Sequence, residues 1–143
     1  ILHMVWLPVV IMVGFAGNVL SLMVMMMPRN RNQSSYVYTR VLACTDCGML
    51  LVAAWYYFRT IQVVYISKQD MNTFDQPAVE CKLTSWLFQA FSLSGALIII
   101  SMTIDRLIAV CLPLKALSVC TVSRAKKIAY SIPPAVFVYT LPF

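Results

Sequence analysis

Three charged residues stand in or beside apolar stretches of the sequence, where a charge needs a partner. Asp46 lies inside the second of four such stretches, at a cost of roughly 2.5–3.5 kcal/mol on insertion scales. Such a carboxylate faces a polar interior, pairs with another group, binds an ion, or is protonated and hydrogen-bonded in a core. Asn18, midway along the first stretch, is a candidate hydrogen-bond partner across helices. Asp105 and Arg106 follow the third stretch, where adjacent opposite charges are also typical of an interfacial anchor.

The composition places these charges in a membrane protein. Hydrophobic residues make up 61% of the 143 residues and charged residues 11%, whereas soluble domains average about 25% charged residues. A soluble fold of this length could not bury so much apolar surface, and a disordered chain would not contain it. One histidine and the absence of catalytic or zinc-binding motifs make an enzyme unexpected. The net charge of +6 therefore concerns membrane orientation rather than nucleic-acid binding.

The apolar stretches predict four helices and an all-α, polytopic membrane helix bundle. The predicted helices span about 2–27, 36–66, 81–112 and 125–143. A bilayer core needs roughly 20 helical residues, but the fourth stretch is apolar only over 128–143, about 24 Å of helix. Because the chain also opens in apolar sequence without a methionine, we expect it to be a fragment of a longer protein.

The distribution of basic residues predicts the orientation of the helices. Most of the 11 basic residues fall in the loops between helices one and two and between helices three and four. The middle loop balances its basic residues with Asp70, Asp75 and Glu80. Because basic excess marks the cytoplasmic side, we expect a multi-pass plasma-membrane protein with an extracellular N-terminus, surrounded by the lipid bilayer.

The cysteines divide between the two sides of the membrane. Cys81 lies at the outer start of the third helix, in an oxidising compartment. No other cysteine falls on that side, so if Cys81 is paired, its partner lies beyond Phe143. Cys111 and Cys120 are expected to be cytoplasmic and reduced, and palmitoylation of either stays open.

Several short motifs, in chain order, resemble those of one receptor family. They are Gly17-Asn18-Val19, Leu42-Ala43-Cys44-Thr45-Asp46, Asp105-Arg106-Leu107, and Val110 with Pro113-Leu114. They are similar to the GN(V/I), LAxxD and DRY motifs and the VxxPL tail of rhodopsin-like (class A) G-protein-coupled receptors. Cys81 precedes Arg106 by the family interval, about 37 Å of helix. The chain thus resembles a partial seven-transmembrane receptor domain over residues 1–143, with a look nearest to invertebrate-type neuropeptide receptors.

The resemblance implies a function and roles for the residues near the end of helix three. Such receptors bind an extracellular ligand and activate a heterotrimeric G protein. Asp105 would hold Arg106 at rest, and on activation Arg106 would meet the C-terminal end of a G-protein α subunit. Leu114 would fit a hydrophobic pocket on the same partner. Cys81 would form the family disulfide, to a loop beyond the chain end.

The resemblance also assigns Asp46 and Asn18 to the central polar network, often a sodium site, that couples ligand binding to activation. Gly95 occupies the position that usually supplies a serine hydroxyl to sodium, which argues against an ion there. Pro133 stands where helix four normally has its tryptophan, and Pro133-Pro134 should distort that helix.

The family pattern also bears on the ligand. Phe88 occupies the helix-three position where receptors for biogenic amines carry an aspartate, so a monoamine is disfavoured and a peptide is expected. The candidate pocket residues are Trp55, Tyr56, Ser85, Phe88, Gln89 and Ser92. For each of them, simple packing is the alternative.

Three other interpretations remain open. The chain could be a four-helix membrane scaffold, which would need a large second extracellular loop with paired cysteines. It could be a small transporter or channel subunit that uses Asp46 as its ion site, although further acids or glycines would then be expected at mid-membrane. It could also be a non-signalling receptor fragment.

Overall fold

The computed structural model of the chain describes residues 2–27, 34–62 and 78–141. Within these ranges the chain forms five helices: α1 (Leu2–Met26), α2 (Ser34–Ile61), α3 (Ala78–Cys111), α4 (Pro113–Val119) and α5 (Val122–Tyr139). The same ranges contain no β-strand, which confirms the predicted all-α bundle. Three of the helices, α1, α2 and α3, are long and apolar enough to cross a membrane.

The helix ends differ from the apolar stretches because polar end residues also belong to helices. α2 begins at Ser34 rather than at about 36, and α3 begins at Ala78 rather than at about 81. α5 begins at Val122 rather than at about 125, because the Thr121 hydroxyl accepts a hydrogen bond from the backbone N–H of Arg124 at 3.4 Å. α5 ends at Tyr139. Residues 63–66 and 142–143 of the predicted helices lie outside the described residues.

The short helix α4 was not predicted, because seven residues give too short a hydropathy signal. Pro113 occupies its first turn, where the missing N–H of proline is not needed and its fixed φ suits a helix. The backbone N–H of Ala116 donates to the carbonyl of Leu112 at 2.8 Å. The proline therefore favours the start of a new helix after α3, and Leu114 lies on this helix.

α2 is the central helix of the bundle and packs against α1, α3 and α5. A buried core joins α2, α3 and α5 near the beginning of α2. Its members are Tyr36, Val37, Tyr38, Val41, Ile98, Ala125 and Ala129. The two alanines are small, so the backbone of α5 can approach its neighbours closely, as is common for membrane helices.

A second contact region, made of aromatic rings, lies further along the bundle. The ring of Phe137 on α5 meets the rings of Trp86 and Phe91 on α3 edge to face, with centroids 5.6 and 5.1 Å apart. On α2, a Cβ added to Gly48 would lie 2.5 Å from Cε1 of Phe91. Glycine at this position therefore lets the Phe91 ring lie directly against the α2 backbone.

α5 stays helical through Pro133 and Pro134, where the sequence predicted a distortion. Each proline lacks the N–H that would donate to the carbonyl four residues earlier, and those carbonyls belong to Ala129 and Tyr130. Ala129 is fully buried against the core, and Phe137 is held between two rings of α3. Packing on both sides of the prolines thus holds α5 in one helical segment.

Candidate functional site

Asp105 accepts hydrogen bonds at two atoms, one carboxylate oxygen and its backbone carbonyl, at the end of the bundle where α2 begins and α3 ends, here called the Asp105 end. The hydroxyl of Ser34, the first residue of α2, donates a hydrogen bond to Oδ2 of Asp105. The thiol of Cys120, between α4 and α5, donates to the backbone carbonyl of Asp105 at 3.4 Å. Asp105 therefore joins α2, α3 and the α4–α5 junction.

Arg106 lies beside this contact but is exposed. In the described ranges, the one ion pair within 4.0 Å is that of Arg59 with Glu80, so the predicted Asp105–Arg106 pair is not formed here. The hydroxyl of Ser34 is the group that bonds the Asp105 carboxylate here. The Asp105 carboxylate turns to α2, and the guanidinium of Arg106 faces outward.

Leu114 on α4 is 88% exposed. α4 packs against α3, so this leucine is carried on the same end of the bundle as Arg106. A single exposed leucine on a soluble surface would need no explanation, but Leu114 lies at the end of the bundle that also carries the exposed guanidinium of Arg106. The sequence named both residues, and the structure brings them to one end.

The neighbourhood of Asp105 changes the chemistry of Cys120. Burial, the hydrogen bond to Asp105 and the negative charge of Asp105 together raise the pKa of the Cys120 thiol above its ordinary value. Cys111, in the last turn of α3, is exposed. Because the thiolate is the nucleophile, a raised pKa leaves a smaller fraction of the Cys120 thiol in its reactive form at a given pH.

Asp46 points from α2 toward the backbone of α3. A Cβ added to Gly95 would lie 3.8 Å from Oδ1 of Asp46 and 3.7 Å from Cδ1 of Leu42. The described residues show no hydrogen bond between Asn18 and Asp46, so the predicted partnership across α1 and α2 is not formed. The carboxylate instead lies at ordinary contact distance from the position that a side chain at Gly95 would take.

The donor set around Asp46 does not fit a sodium site. Hard cations take several oxygen ligands, and Gly95 contributes no side-chain oxygen. Nowhere in the described residues do three His, Cys, Asp or Glu side chains gather as a metal-binding group. The hydroxyl of Ser94 is fully buried without a hydrogen-bond partner, but it belongs to the neighbouring position on the helix.

At the opposite end of the bundle, here called the Cys81 end, α2 and α3 are joined by charge. Nε of Arg59 lies 2.8 Å from Oε1 of Glu80, and Nη2 lies 3.0 Å from Oε2. Cys81 follows directly and is exposed, with a free thiol. The disulfide that the family resemblance implies for Cys81 stays a prediction.

The predicted ligand-pocket residues do not share one cavity. Trp55 lines a cavity of about 570 Å³ between α2 and α3, together with apolar residues that the sequence did not single out, such as Leu83 and Leu87. At 100° per residue, Ser85 and Ser92 lie on the opposite side of α3 from Leu83. Phe88 and Gln89 share that opposite side and are exposed, as is Tyr56 on α2. The structure therefore separates Trp55 from the α3 candidates.

The exposed side of α3 continues to the Asp105 end. The residues exposed along this side of α3 include Ser85, Ser92 and Arg106. On the other side of the helix, Ser94 and Ile98 are fully buried. Polar side chains inside a membrane face a bundle interior or a water-filled cavity rather than lipid. This face of α3 is therefore the one suited to further helices or to a ligand.

A family comparison agrees with this geometry. The family model of the 7 transmembrane receptors (rhodopsin family) matches residues 17–143. The chain belongs to this family. It is a membrane protein that represents part of a class A receptor, and rhodopsin-family receptors in general bind extracellular ligands and couple to G proteins. The matched range includes α2, α3, α4, α5 and the second half of α1.

Sequence reasoning missed three parts of this rhodopsin-family receptor site. Ser34 was not chosen because it precedes the apolar stretch, and nothing in the sequence places it beside Asp105. Cys120 was seen only as a candidate for palmitoylation. Gly48 carried one usable signal, since a glycine inside a membrane helix often marks close packing, but its partner Phe91 could not be identified without the fold.

Proposed function

We propose that this chain is the ligand-binding and G-protein-contacting part of a peptide receptor in the plasma membrane. The Cys81 end would be extracellular and the Asp105 end cytoplasmic, with a heterotrimeric G protein as the partner there. The observation that carries the proposal is the joint exposure of Arg106 and Leu114 beside a fully engaged Asp105. The cation of Arg106 and the apolar side chain of Leu114 lie at one end of the bundle, and such a pair suits the docking of a partner helix in a groove.

The orientation is supported by charge. The Asp105 end carries Arg40, Arg106, Lys115 and the basic first turns of α5. In contrast, the charges described at the Cys81 end include an Arg59–Glu80 pair that cancels internally. Basic excess on short loops faces the cytoplasm.

The peptide ligand is supported by the exposed face of α3. Ser85, Gln89 and Ser92 offer neutral hydrogen-bonding groups and Phe88 an aromatic surface, while no carboxylate lies among them to bind an ammonium. Aromatic and neutral polar groups together are the usual lining of a ligand site. A peptide backbone presents the matching amide donors and acceptors.

The direct test of G-protein coupling is Arg106→Ala in the full receptor. We expect loss of agonist-driven G-protein activation with surface expression retained, because the change removes only an exposed cation. Leu114→Ala should reduce coupling by a smaller factor. Val138→Ala, which shortens an apolar side chain that is 68% exposed near the end of α5, is the matched control. Normal signalling by Arg106→Ala would end the proposed role.

The proposed disulfide has its own test. Cys81→Ser should impair folding or ligand binding if an extracellular loop is tied to α3, because losing a native disulfide typically costs about 2–5 kcal/mol. Cys111→Ser is the control for a cysteine on the other side of the membrane. A fully functional Cys81→Ser receptor would show that no such bond is needed.

A further inference from the structure

A small polar pocket lies between α2 and α5 near the beginnings of both helices. It has a volume of about 240 Å³ and is lined by Tyr36, Val37, Arg40, Lys126 and Tyr130. Although α3 packs against both α2 and α5, none of its residues lines the pocket. The pocket therefore opens on the side of the helix pair that faces away from α3, and it is separate from the surface formed by Arg106 and Leu114.

Each helix supplies one phenol and one cation to this pocket. Tyr36 and Arg40 are four residues apart on α2, and Lys126 and Tyr130 are four residues apart on α5, so each pair lies on one helix face. Nη1 of Arg40 donates to the hydroxyl of Tyr36 at 3.4 Å. The guanidinium carries five donors, so most of them stay available to another acceptor.

The walls of the pocket are fixed by the buried core behind it. Val37 is 1% exposed, and Ala125 and Ala129 on α5 are 2% and 0% exposed. Lys126 and Tyr130 directly follow these two alanines in the sequence. The small residues that let α5 approach α2 therefore also set the cation and the phenol at the rim, at positions that packing determines.

The pocket is electrostatically one-sided. No carboxylate is among its lining residues. The described acids at the two ends of the bundle have partners elsewhere. Glu80 pairs with Arg59, and Asp105 accepts a hydrogen bond from Ser34. Two cations that face each other across a small pocket repel one another, and an anion placed between them converts that repulsion into two attractions.

The depth of the pocket matches the headgroup layer of a bilayer. At 1.5 Å per residue, Arg40 lies about 9 Å from the start of α2 and Lys126 about 6 Å from the start of α5. Headgroup and interfacial regions account for roughly 5–8 Å on each side of the apolar core. Tyrosine is enriched at this level, and long cationic side chains extend toward it. Tyr130 is 54% exposed, so lipid can reach the rim.

We propose that this pocket binds the headgroup of an anionic membrane lipid that carries a phosphomonoester. Arg40 and Lys126 bind the phosphate from opposite sides, and the hydroxyls of Tyr36 and Tyr130 donate to its remaining oxygens. A phosphomonoester carries nearly two negative charges at neutral pH, which matches two converging cations better than a singly charged diester. The volume corresponds to about eight water molecules, enough for a phosphate but not for acyl chains. The proposal does not depend on G-protein coupling.

The test measures lipid binding by the purified receptor in neutral detergent, with dioctanoyl phosphatidylinositol 4-phosphate as the probe and native mass spectrometry as the readout. Arg40→Gln and Lys126→Gln should each weaken binding about tenfold, because each substitution removes a charge-assisted hydrogen bond to the phosphate. Tyr130→Phe should weaken it a few-fold. Lys127→Gln is the matched control, since it removes the same charge from an adjacent residue that lines a different cavity.

The outcomes separate the alternatives. Weaker binding in Arg40→Gln and Lys126→Gln supports the pocket, provided that Lys127→Gln retains binding and that all variants keep the same melting temperature. Equal losses in Lys126→Gln and Lys127→Gln would mean diffuse attraction and overturn it. Inorganic phosphate that displaces the probe at similar concentration would assign the pocket to free phosphate instead of lipid. Equal binding of dioctanoyl phosphatidylserine would overturn the preference for a phosphomonoester.

Discussion

Arg59 and Glu80 form a two-pronged ion pair that joins the last turn of α2 to the first turn of α3. The two N–O distances are 2.8 and 3.0 Å, and the side chains are only 30% and 21% exposed. This parallel geometry is the strongest form of a surface ion pair. It also pairs Glu80, one of the three acids of the middle loop, while Asp70 and Asp75 lie outside the described residues.

Breaking this pair should destabilise the Cys81 end. Glu80→Gln leaves the guanidinium without a carboxylate, and we expect a loss of about 1 kcal/mol in the free energy of unfolding, measured as a lower melting temperature. Arg59→Gln should lower the free energy of unfolding by less in the Glu80→Gln background than in the unsubstituted protein. Lys82→Gln, which removes an exposed charge nearby, is the control. Additive effects of the two substitutions would argue against coupling.

Gly48→Ala should destabilise the contact between α2 and α3. The added Cβ would lie 2.5 Å from Cε1 of Phe91, and such overpacking typically costs about 1–3 kcal/mol. Phe91→Leu should partly rescue the variant, because the smaller side chain vacates the space. Gly17→Ala is the matched control, since no described atom lies within 4 Å of its added Cβ. Equal melting temperatures for the two alanine variants would contradict this packing.

Ser34→Ala should loosen the Asp105 end. The hydroxyl is a donor to the Asp105 carboxylate, and losing a hydrogen bond to a charged, partly buried group costs about 1–2 kcal/mol. Ser35→Ala changes the next residue, whose backbone carbonyl accepts from Thr39 and is retained. Faster hydrogen exchange at the start of α2 in the first variant, but not in the second, is the expected readout. Identical exchange in both would argue that the contact is weak.

Gly95→Ser should create a sodium response. The new Cβ lies at ordinary contact distance, 3.8 Å from Oδ1 of Asp46, and a hydroxyl turned toward the carboxylate adds a second oxygen ligand. The variant should melt at higher temperature in sodium chloride than in choline chloride of equal ionic strength. The parent receptor should show no difference, and Ala96→Ser, on an exposed position, is the control. A sodium response in the parent would show that Asp46 already binds the ion.

The thiols at the Asp105 end should differ in reactivity. Because the pKa of Cys120 is raised, its thiolate fraction at pH 7.4 is lower than that of an ordinary thiol, and its alkylation by iodoacetamide should be slower than that of an ordinary thiol at this pH. Cys111 is exposed and should be the residue modified first at pH 7.4. Peptide mapping after a timed reaction, with Cys111→Ser as the control, measures both rates. Faster labelling of Cys120 would reverse the assignment.

Much of the fold follows from hydropathy alone. The uncharged run that became α1 and the long stretch that became α3 could hardly be anything but membrane helices, since a bilayer admits no unpaired backbone. The motif around Asp46 likewise indicated a carboxylate that faces another helix. These predictions succeed because they depend on local composition and on a solvent that constrains the chain strongly.

Side-chain partners were predicted less well, because they depend on which helix faces meet. Asp105 was expected to hold its neighbour Arg106, and in the described residues its carboxylate instead accepts from the hydroxyl of Ser34 on α2. Arg40 and Lys126 were not singled out, since nothing in the sequence shows that α2 and α5 are adjacent. Adjacency between distant segments is a property of the assembled bundle, and single-sequence patterns do not contain it.

The central position of α2 has a consequence for biosynthesis. Helices enter the membrane in chain order, so α2 meets α1 first, then α3, and finally α5, each of which packs against it. Each later helix therefore finds the α2 surface that it packs against already in the membrane. Asp46 on α2 has to wait for its neighbour, because the α3 backbone at Gly95 is inserted after α2. The interval between insertion of α2 and of α3 is thus the stage at which quality-control factors would most readily recognise an unfinished chain.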